Sequence, residues 1–437
     1  MSSSLIAAFK SSTNGAADGT GVTILVKRAQ GLLGKKLPSW IVDYTLGQQM
    51  AIFGDYPTSK DIAPSAIFLV VFLIFCLAHL YIFTRNMARG HKFWLSLGFA
   101  FYSFMRFLGY TLRIVWAKDI LKMKSGMASE VFLIIPIVLL AGLNLILAQR
   151  IFTWRHPHLG STKFFWFNMY LVYIVVTGVV VMAIIGQCIP YLYFLSEHRF
   201  KMCKQVMQAG SVLCVLFVSL AAVLVLAAFL IPSTSKDQTV WIYQPYWIES
   251  FSIWYFVPKN SAREAESSFK QRDSNAFGAH RIIASTHIPG PGVTRGRLNS
   301  TTATTDNDIK RINSVQQCRG ENLKHNHSIL IISLTTLILF ISSMFRCVSC
   351  FLEHQKVSQS WIFKPVVMYI MLGLLETLVN VLYLTGRVDL RFYRPDKLSS
   401  KHRGVVGDEQ STVGNGYYND GEKHQAVHQD HNSSESV

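Results

Sequence analysis

Residues 63–83, APSAIFLVVFLIFCLAHLYIF, decide the fold, because the run passes without one Asp, Glu, Lys or Arg. At about 1.5 Å of rise per residue it crosses roughly 30 Å of hydrocarbon as a helix, with every backbone group bonded inside the segment. Six stretches of similar length follow: Phe93–Trp116, Ala128–Ala148, Phe165–Tyr191, Val206–Ile231, Ser328–Cys350 and Lys364–Gly386. The pattern reads as an all-α membrane protein of seven transmembrane helices, with a long polar insert between helices 5 and 6. Composition points the same way: half of the 437 residues are apolar, 15% are charged, and the mean hydropathy is +0.29, which excludes an ordinary soluble domain.

The chain divides at changes of composition. Residues 1–60 hold VTILVKRAQGLLGKKLPSWI, whose weak periodicity suits a weakly ordered region. Its first thirty residues lack the pattern of a secretory signal, so insertion is expected to begin at the first span. Helices 1–5 fill 61–231. Residues 232–257 include VWIYQPYWIESFSIWYF, too aromatic for a free loop and interrupted by Pro245, which suits a segment lying in the interface. Residues 258–327 are rich in Ser, Thr, Asn, Arg and Gly and are expected to be disordered. Helices 6 and 7 with a juxtamembrane segment fill 328–398, and the polar tail 399–437 is expected to be disordered.

Trp94, Trp116, Trp166 and Trp361 mark span ends, since indole favours the headgroup level. Lys and Arg in the short flanks favour an outside N-terminus and a cytosolic C-terminus: Arg85, Arg89, Lys92, Arg150, Arg155, Lys324, Arg387, Arg391, Arg394 and Lys397 fall on one side. The opposite side holds Lys60, Lys118, Lys122, Lys124, Arg199, Lys201, Lys204 and Lys356. The net charge of +17 fits an anionic membrane surface, and no recognition module accompanies it that would call for nucleic acid.

Polar residues within the spans are the candidate functional groups, because a charge at mid-bilayer costs about 2.5–3.5 kcal/mol even on the lenient insertion scale. Arg106 and Glu376 lie near the centres of the second and seventh spans, at depths that let them pair. Arg113, two turns after Arg106, and Arg346 approach one side, with Glu130 and Glu353 as partners; a cavity lined by Arg106, Arg113 and Arg346 would suit an anionic headgroup. The alternative has the outer two arginines snorkelling to the interface. His79 and Asn144 are placed to hydrogen-bond across helices, and Asn380 with Tyr383 forms an N-x-x-Y pair one turn after Glu376. Of the seven cysteines, most are expected to be free buried thiols, with a bridge from Cys203 to Cys188 or Cys347 as the alternative outside the cytosol. His424, His428 and His431 have metal-like spacing in a tail that would not hold them, so no metal or other cofactor is expected. Asn299, Asn326 and Asn432 begin glycosylation sequons.

Several segments carry a likeness to known proteins: DIAPSAIFLVVFLIFCLAHL (61–80) with RNMARGHKF (85–93), MRFLGYTLRIVWA (105–117), NLILAQRIFTWRHPHLG (144–160), WIESFSIWYFVPK (247–259), HRIIASTH (280–287), and SWIFKPVVMYIMLGLLETLVNVLYLTGRVDLRFYRPDKL (360–398). With these the chain resembles an uncharacterised family of fungal multi-spanning membrane proteins defined only as a domain of unknown function. The resemblance implies an integral membrane location and a seven-helix plan, and no activity. Two function classes stand open: translocation or binding of an amphipathic anion or lipid through a central polar site, and a receptor or scaffold that recruits cytosolic proteins through the insert and GRVDLRFYRPDKL. An enzyme ranks third, for want of a recognisable constellation at the membrane boundary.

Overall fold

A computed structural model describes residues 15–34, 37–47, 49–232, 234, 253–257, 259–260, 327–352 and 354–393. Among the described residues the chain is helical with no strand, apart from a lone bridge between Met50 and Gln355. Two helices, α1 (Val22–Leu33) and α2 (Ser39–Gly47), precede the bundle where the sequence offered only weak periodicity. The bundle comprises α3 (Ile62–Ala88), α4 (Leu95–Lys118), α5 (Met123–Arg155), α6 (Lys163–Leu192), α7 (Glu197–Leu230), α8 (His327–Phe351) and α9 (Pro365–Thr385). A one-turn helix, Val388–Arg391, follows α9.

Local chemistry sets the helix ends. The carboxylate of Asp61 accepts from the backbone N–H and hydroxyl of Thr58, at 2.8 and 3.0 Å, in a capping box ahead of α3. The Thr162 hydroxyl accepts from Phe165 N at the start of α6. Pro365 opens α9, where its missing N–H removes no helix bond. The end of the bundle carrying Thr58, Asp119 and Phe351 is termed the first end; the other carries Arg89, Arg155 and Arg387.

Helix α5 is the centre, packed against α4, α6, α7 and α8, while α9 lies between α8 and α3 and closes the bundle. In its most apolar window 61% of residues are buried, against 17% in α3 and in α6. Those peripheral helices turn Ile67, Ile74, Phe164, Phe167 and Ile174 outward, the surface expected where the surroundings are lipid and not water. Among the described residues six helices are long and apolar enough to cross a membrane, and the chain is a multi-pass membrane protein. The exception is α4, where Arg106, Arg113 and Lys118 dilute the apolar run. Pairwise packing nonetheless seats it between α3 and α5.

One expectation needs correction. Trp116 is buried beneath α5, its indole N–H donating to the Ile120 carbonyl at 3.1 Å, so it marks no headgroup level. Cys76, Cys188, Cys203, Cys214, Cys347 and Cys350 are free thiols, the state expected for most of the cysteines, and the alternative bridge at Cys203 is not formed. Cys318, Glu353, Lys324, Arg394, Lys397, residues 1–14, the insert 261–326, the tail from 394 onward with His424, His428 and His431, and the three sequons lie outside the described residues.

Candidate functional site

Arg106 and Glu376 meet in the core. The guanidinium donates from Nε to Glu376 Oε2 at 2.7 Å and from Nη2 to Oε1, a two-point fork, and both side chains are fully buried. The remaining nitrogen, Nη1, donates to the Leu133 carbonyl of α5. Tyr102 donates its hydroxyl to Glu376 Oε2, so the carboxylate is held by two residues of α4.

The local sequence makes this approach possible. Pro136 offers no N–H to the Phe132 carbonyl, four residues before it, and the neighbouring Leu133 carbonyl takes the arginine. Gly109 lets α4 come close: a Cβ there would stand 3.1 Å from backbone atoms of Phe132. On the other side, Tyr369–Leu374 forms a π-helical turn just before Glu376, a feature frequent at functional sites because it shifts the helix register.

Asn380 continues the network one turn on, donating from Nδ2 to the Glu376 carbonyl at 2.8 Å; its Oδ1 accepts from His79 Nε2 at 3.3 Å. Asn144 belongs to a separate cluster. Its Nδ2 donates to Thr336 at 2.7 Å, and its Oδ1 accepts from Thr335 at 3.0 Å and Tyr383 at 2.8 Å, tying α5, α8 and α9 together. His79 and Asn144 thus hydrogen-bond across helices, and Tyr383 turns to Asn144 and not to its sequence partner Asn380.

Arg113 does not snorkel. It is fully buried, donating from Nη2 to the Gly54 and Asp55 carbonyls at 2.5 and 3.1 Å, with Glu130 3.5 Å from Nη1. Gly54 has φ +95°, and a Cβ there would collide with Met368, so only glycine presents its carbonyl so closely.

Among the described residues the three arginines do not gather around one cavity: Arg106 bonds Glu376 and the Leu133 carbonyl, and Arg113 bonds the Gly54 and Asp55 carbonyls. Arg346 alone lines a mostly apolar cleft of about 130 Å³ at the first end, with Lys204 in the same wall. Its guanidinium lies 5.9 Å from the Phe53 ring centre.

A further cluster, not expected from the sequence, lies at the second end. Arg387 donates to Asp389 at 2.9 and 2.8 Å and to the carbonyls of Ile253, at 2.9 Å, and Tyr255. Asn86 donates to Asp389 Oδ2 at 2.9 Å, and Arg89 to the Val257 carbonyl at 2.7 Å. The Phe256 ring lies 5.2–5.5 Å from the guanidinium carbons of Arg85, Arg89 and Arg387. Arg387 and Arg391 are buried. The lone acid among the basic residues of GRVDLR is the signal for this cluster in the sequence.

His91 donates from Nε2 to the Asp389 carbonyl at 2.8 Å and stacks on Tyr393, leaving its buried Nδ1 without a partner. Burial lowers it from 6.5 to about 4, against the Asp389 groups that raise it; Arg387 and Arg150 add to the lowering. Asp389 lies below its ordinary value: burial would raise it, but Arg387 and Asn86 outweigh that. Between pH 6.5 and about 4 the unfolded chain takes up a proton at His91 and the folded chain does not. Stability at this end is therefore expected to fall as the pH drops through that window, by on the order of 3 kcal/mol. Thermal unfolding of wild type and His91→Gln at pH 7 and 4.5 checks this; an equal loss in both would reject His91 as the cause.

Among the described residues no three His, Cys, Asp or Glu side chains stand close enough to hold a metal. The family model described as a protein of unknown function (DUF3112) matches residues 157–393, more than half of the chain. The matched stretch includes Arg346, Glu376, Asn380 and the Arg387–Asp389 pair, and leaves His79, Arg106, Arg113 and Asn144 outside. No curated protein and no solved structure shows significant similarity to the chain.

Proposed function

We propose, from the premise that the chain belongs to the family described as protein of unknown function (DUF3112), that it is a seven-span, non-enzymatic membrane protein that binds or translocates an amphipathic anion or lipid. Helix α4 is the seventh span: its 24 residues reach about 36 Å, and Arg106 and Arg113 face inward onto partners. The second end faces the cytosol. Absence of glycosylation at Asn299 and Asn326 in a glycosylating host would support this orientation, and modification of either would reverse it.

The observation that carries the reading is the buried fork between Arg106 and Glu376, beside a π-helical turn. A buried ion pair is a poor source of stability, since desolvation offsets its attraction, and its best-attested use is in registry or switching. An anion passing Arg106 would compete for the guanidinium that Glu376 now holds. Transbilayer movement of labelled anionic and zwitterionic lipids in proteoliposomes tests this, with folded Arg106→Lys and Glu376→Gln variants. Movement by wild type that is lost in both supports the reading. Movement no faster than in protein-free vesicles removes it.

A receptor or scaffold is the second reading, favoured by the docking of residues 253–257 on the second end. It calls for a cytosolic partner whose binding depends on Arg387 and survives Glu376→Gln.

A further inference from the structure

The first-end cleft contains an arginine and two amides whose side chains make no hydrogen bond or ion pair with a described residue. Arg346 is half-buried, and its side chain has neither an ion-pairing carboxylate nor a hydrogen-bond acceptor among the described residues. The acid acting on it, Glu130, stands against Arg113. Gln49 and Gln187 line the same cleft, are 6% and 7% exposed, and likewise make no side-chain hydrogen bond among the described residues.

Buried amides are costly to leave unpaired, and a half-buried guanidinium beside them favours an anionic group. Such a set is satisfied by a group that accepts hydrogen bonds and carries negative charge. Most of the remaining wall is apolar or aromatic, including Phe53, Met207 and Leu352, with Lys204 and Ser349 as further polar members. The volume of about 130 Å³ is close to that of a cavity that holds benzene, roughly 150 Å³. A headgroup and its first few methylenes fill it, and a longer tail must leave by the mouth.

We infer that this cleft binds the oxyanion headgroup of a single-chain amphiphile, a carboxylate or phosphomonoester, with Arg346 taking two oxygens and Gln49 and Gln187 donating from the sides. The inference rests on the amphipathic-anion reading above and gives it a site away from the Arg106–Glu376 pair. Lys204 adds positive potential at the wall, its ammonium lying 4.9 Å over the Phe200 ring.

The test is equilibrium binding to the full chain in nanodiscs of zwitterionic lipid, using oleate, lysophosphatidate, lysophosphatidylcholine and inorganic phosphate as probes. Oleate or lysophosphatidate, or both in competition, is expected to bind saturably, and the two arms identify which headgroup is preferred. Arg346→Gln is expected to weaken that binding roughly 10- to 100-fold, the loss of a charge-assisted two-point contact. Gln187→Leu is expected to weaken it several-fold, and the exposed Arg199→Gln not at all.

Thermal unfolding establishes that each variant is folded. If Arg346→Gln does not fold, the Gln187→Leu result decides. Binding unchanged in a folded Arg346→Gln variant, binding of inorganic phosphate as tight as of the amphiphiles, or no saturable binding of either amphiphile overturns the inference. Arg346-dependent binding without transbilayer movement keeps the site and removes translocation. Movement indifferent to Arg346→Gln keeps translocation and removes the site.

Discussion

Arg106→Met and Glu376→Leu are each expected to destabilise the bundle by about 3–5 kcal/mol, and the double variant by clearly less than the sum of the two, because one partner alone leaves an uncompensated charge in the core. The pair is fully buried, and the other groups around it are neutral: the Leu133 carbonyl and the Tyr102 hydroxyl. Neither can replace the lost charge. In the double variant the charges leave together, and what remains is one carbonyl and one hydroxyl without partners, at about 1–3 kcal/mol each. Unfolding in mixed micelles, read as a double-mutant cycle, measures the coupling. Single losses that simply add in the double variant would mean that the two side chains do not depend on each other, and the central pair would lose its place in the mechanism.

Arg387→Ala is expected to release the segment at Phe256. The variant loses a two-point ion pair with Asp389, two hydrogen bonds to the backbone at Ile253 and Tyr255, and one of three guanidiniums around the Phe256 ring. It leaves Asp389 buried, with the Asn86 amide as its remaining side-chain donor. A cost of about 3 kcal/mol at this end corresponds to roughly a 100-fold larger open population, and cleavage of an opened segment follows that population. Chymotrypsin should therefore cut after Phe256 roughly 100-fold faster in the variant than in wild type, under conditions where the bundle stays folded. Arg387 has φ +46°, a conformation glycine adopts freely, so Arg387→Gly separates backbone strain from side-chain loss. Fast cleavage in both variants assigns the effect to the guanidinium; wild-type cleavage in either would detach this cluster from the holding of the insert.

The two clusters were unequally legible. Arg106 and Glu376 stood out because each is a lone charge in an apolar run, and helical rise alone puts them at matching depths. Their partners Tyr102 and Leu133 carried no such signal: a tyrosine in a helix full of aromatic residues is unremarkable, and a backbone carbonyl has no identity in sequence. Arg113 was misjudged for the opposite reason. Its place near a span end suggested solvent, yet the turn at Gly54 folds back over it and supplies carbonyls from residues 59 and 58 positions away.

The residues by themselves determined the solvent and the helices of this protein, because in hydrocarbon each segment must satisfy its own backbone, and that demand is written locally in length and apolarity. Only the tertiary structure decided which charges meet, since that depends on how α4, α5 and α9 rotate and approach. Those rotations are set by contacts between distant residues: Gly109 against Phe132, Asn144 against Thr336 and Tyr383, and the π-helical turn that aims Glu376 at α4. A carboxylate that is half a turn off its helix face loses its arginine altogether, so small packing differences, which no periodicity records, separate a closed ion pair from an open binding site.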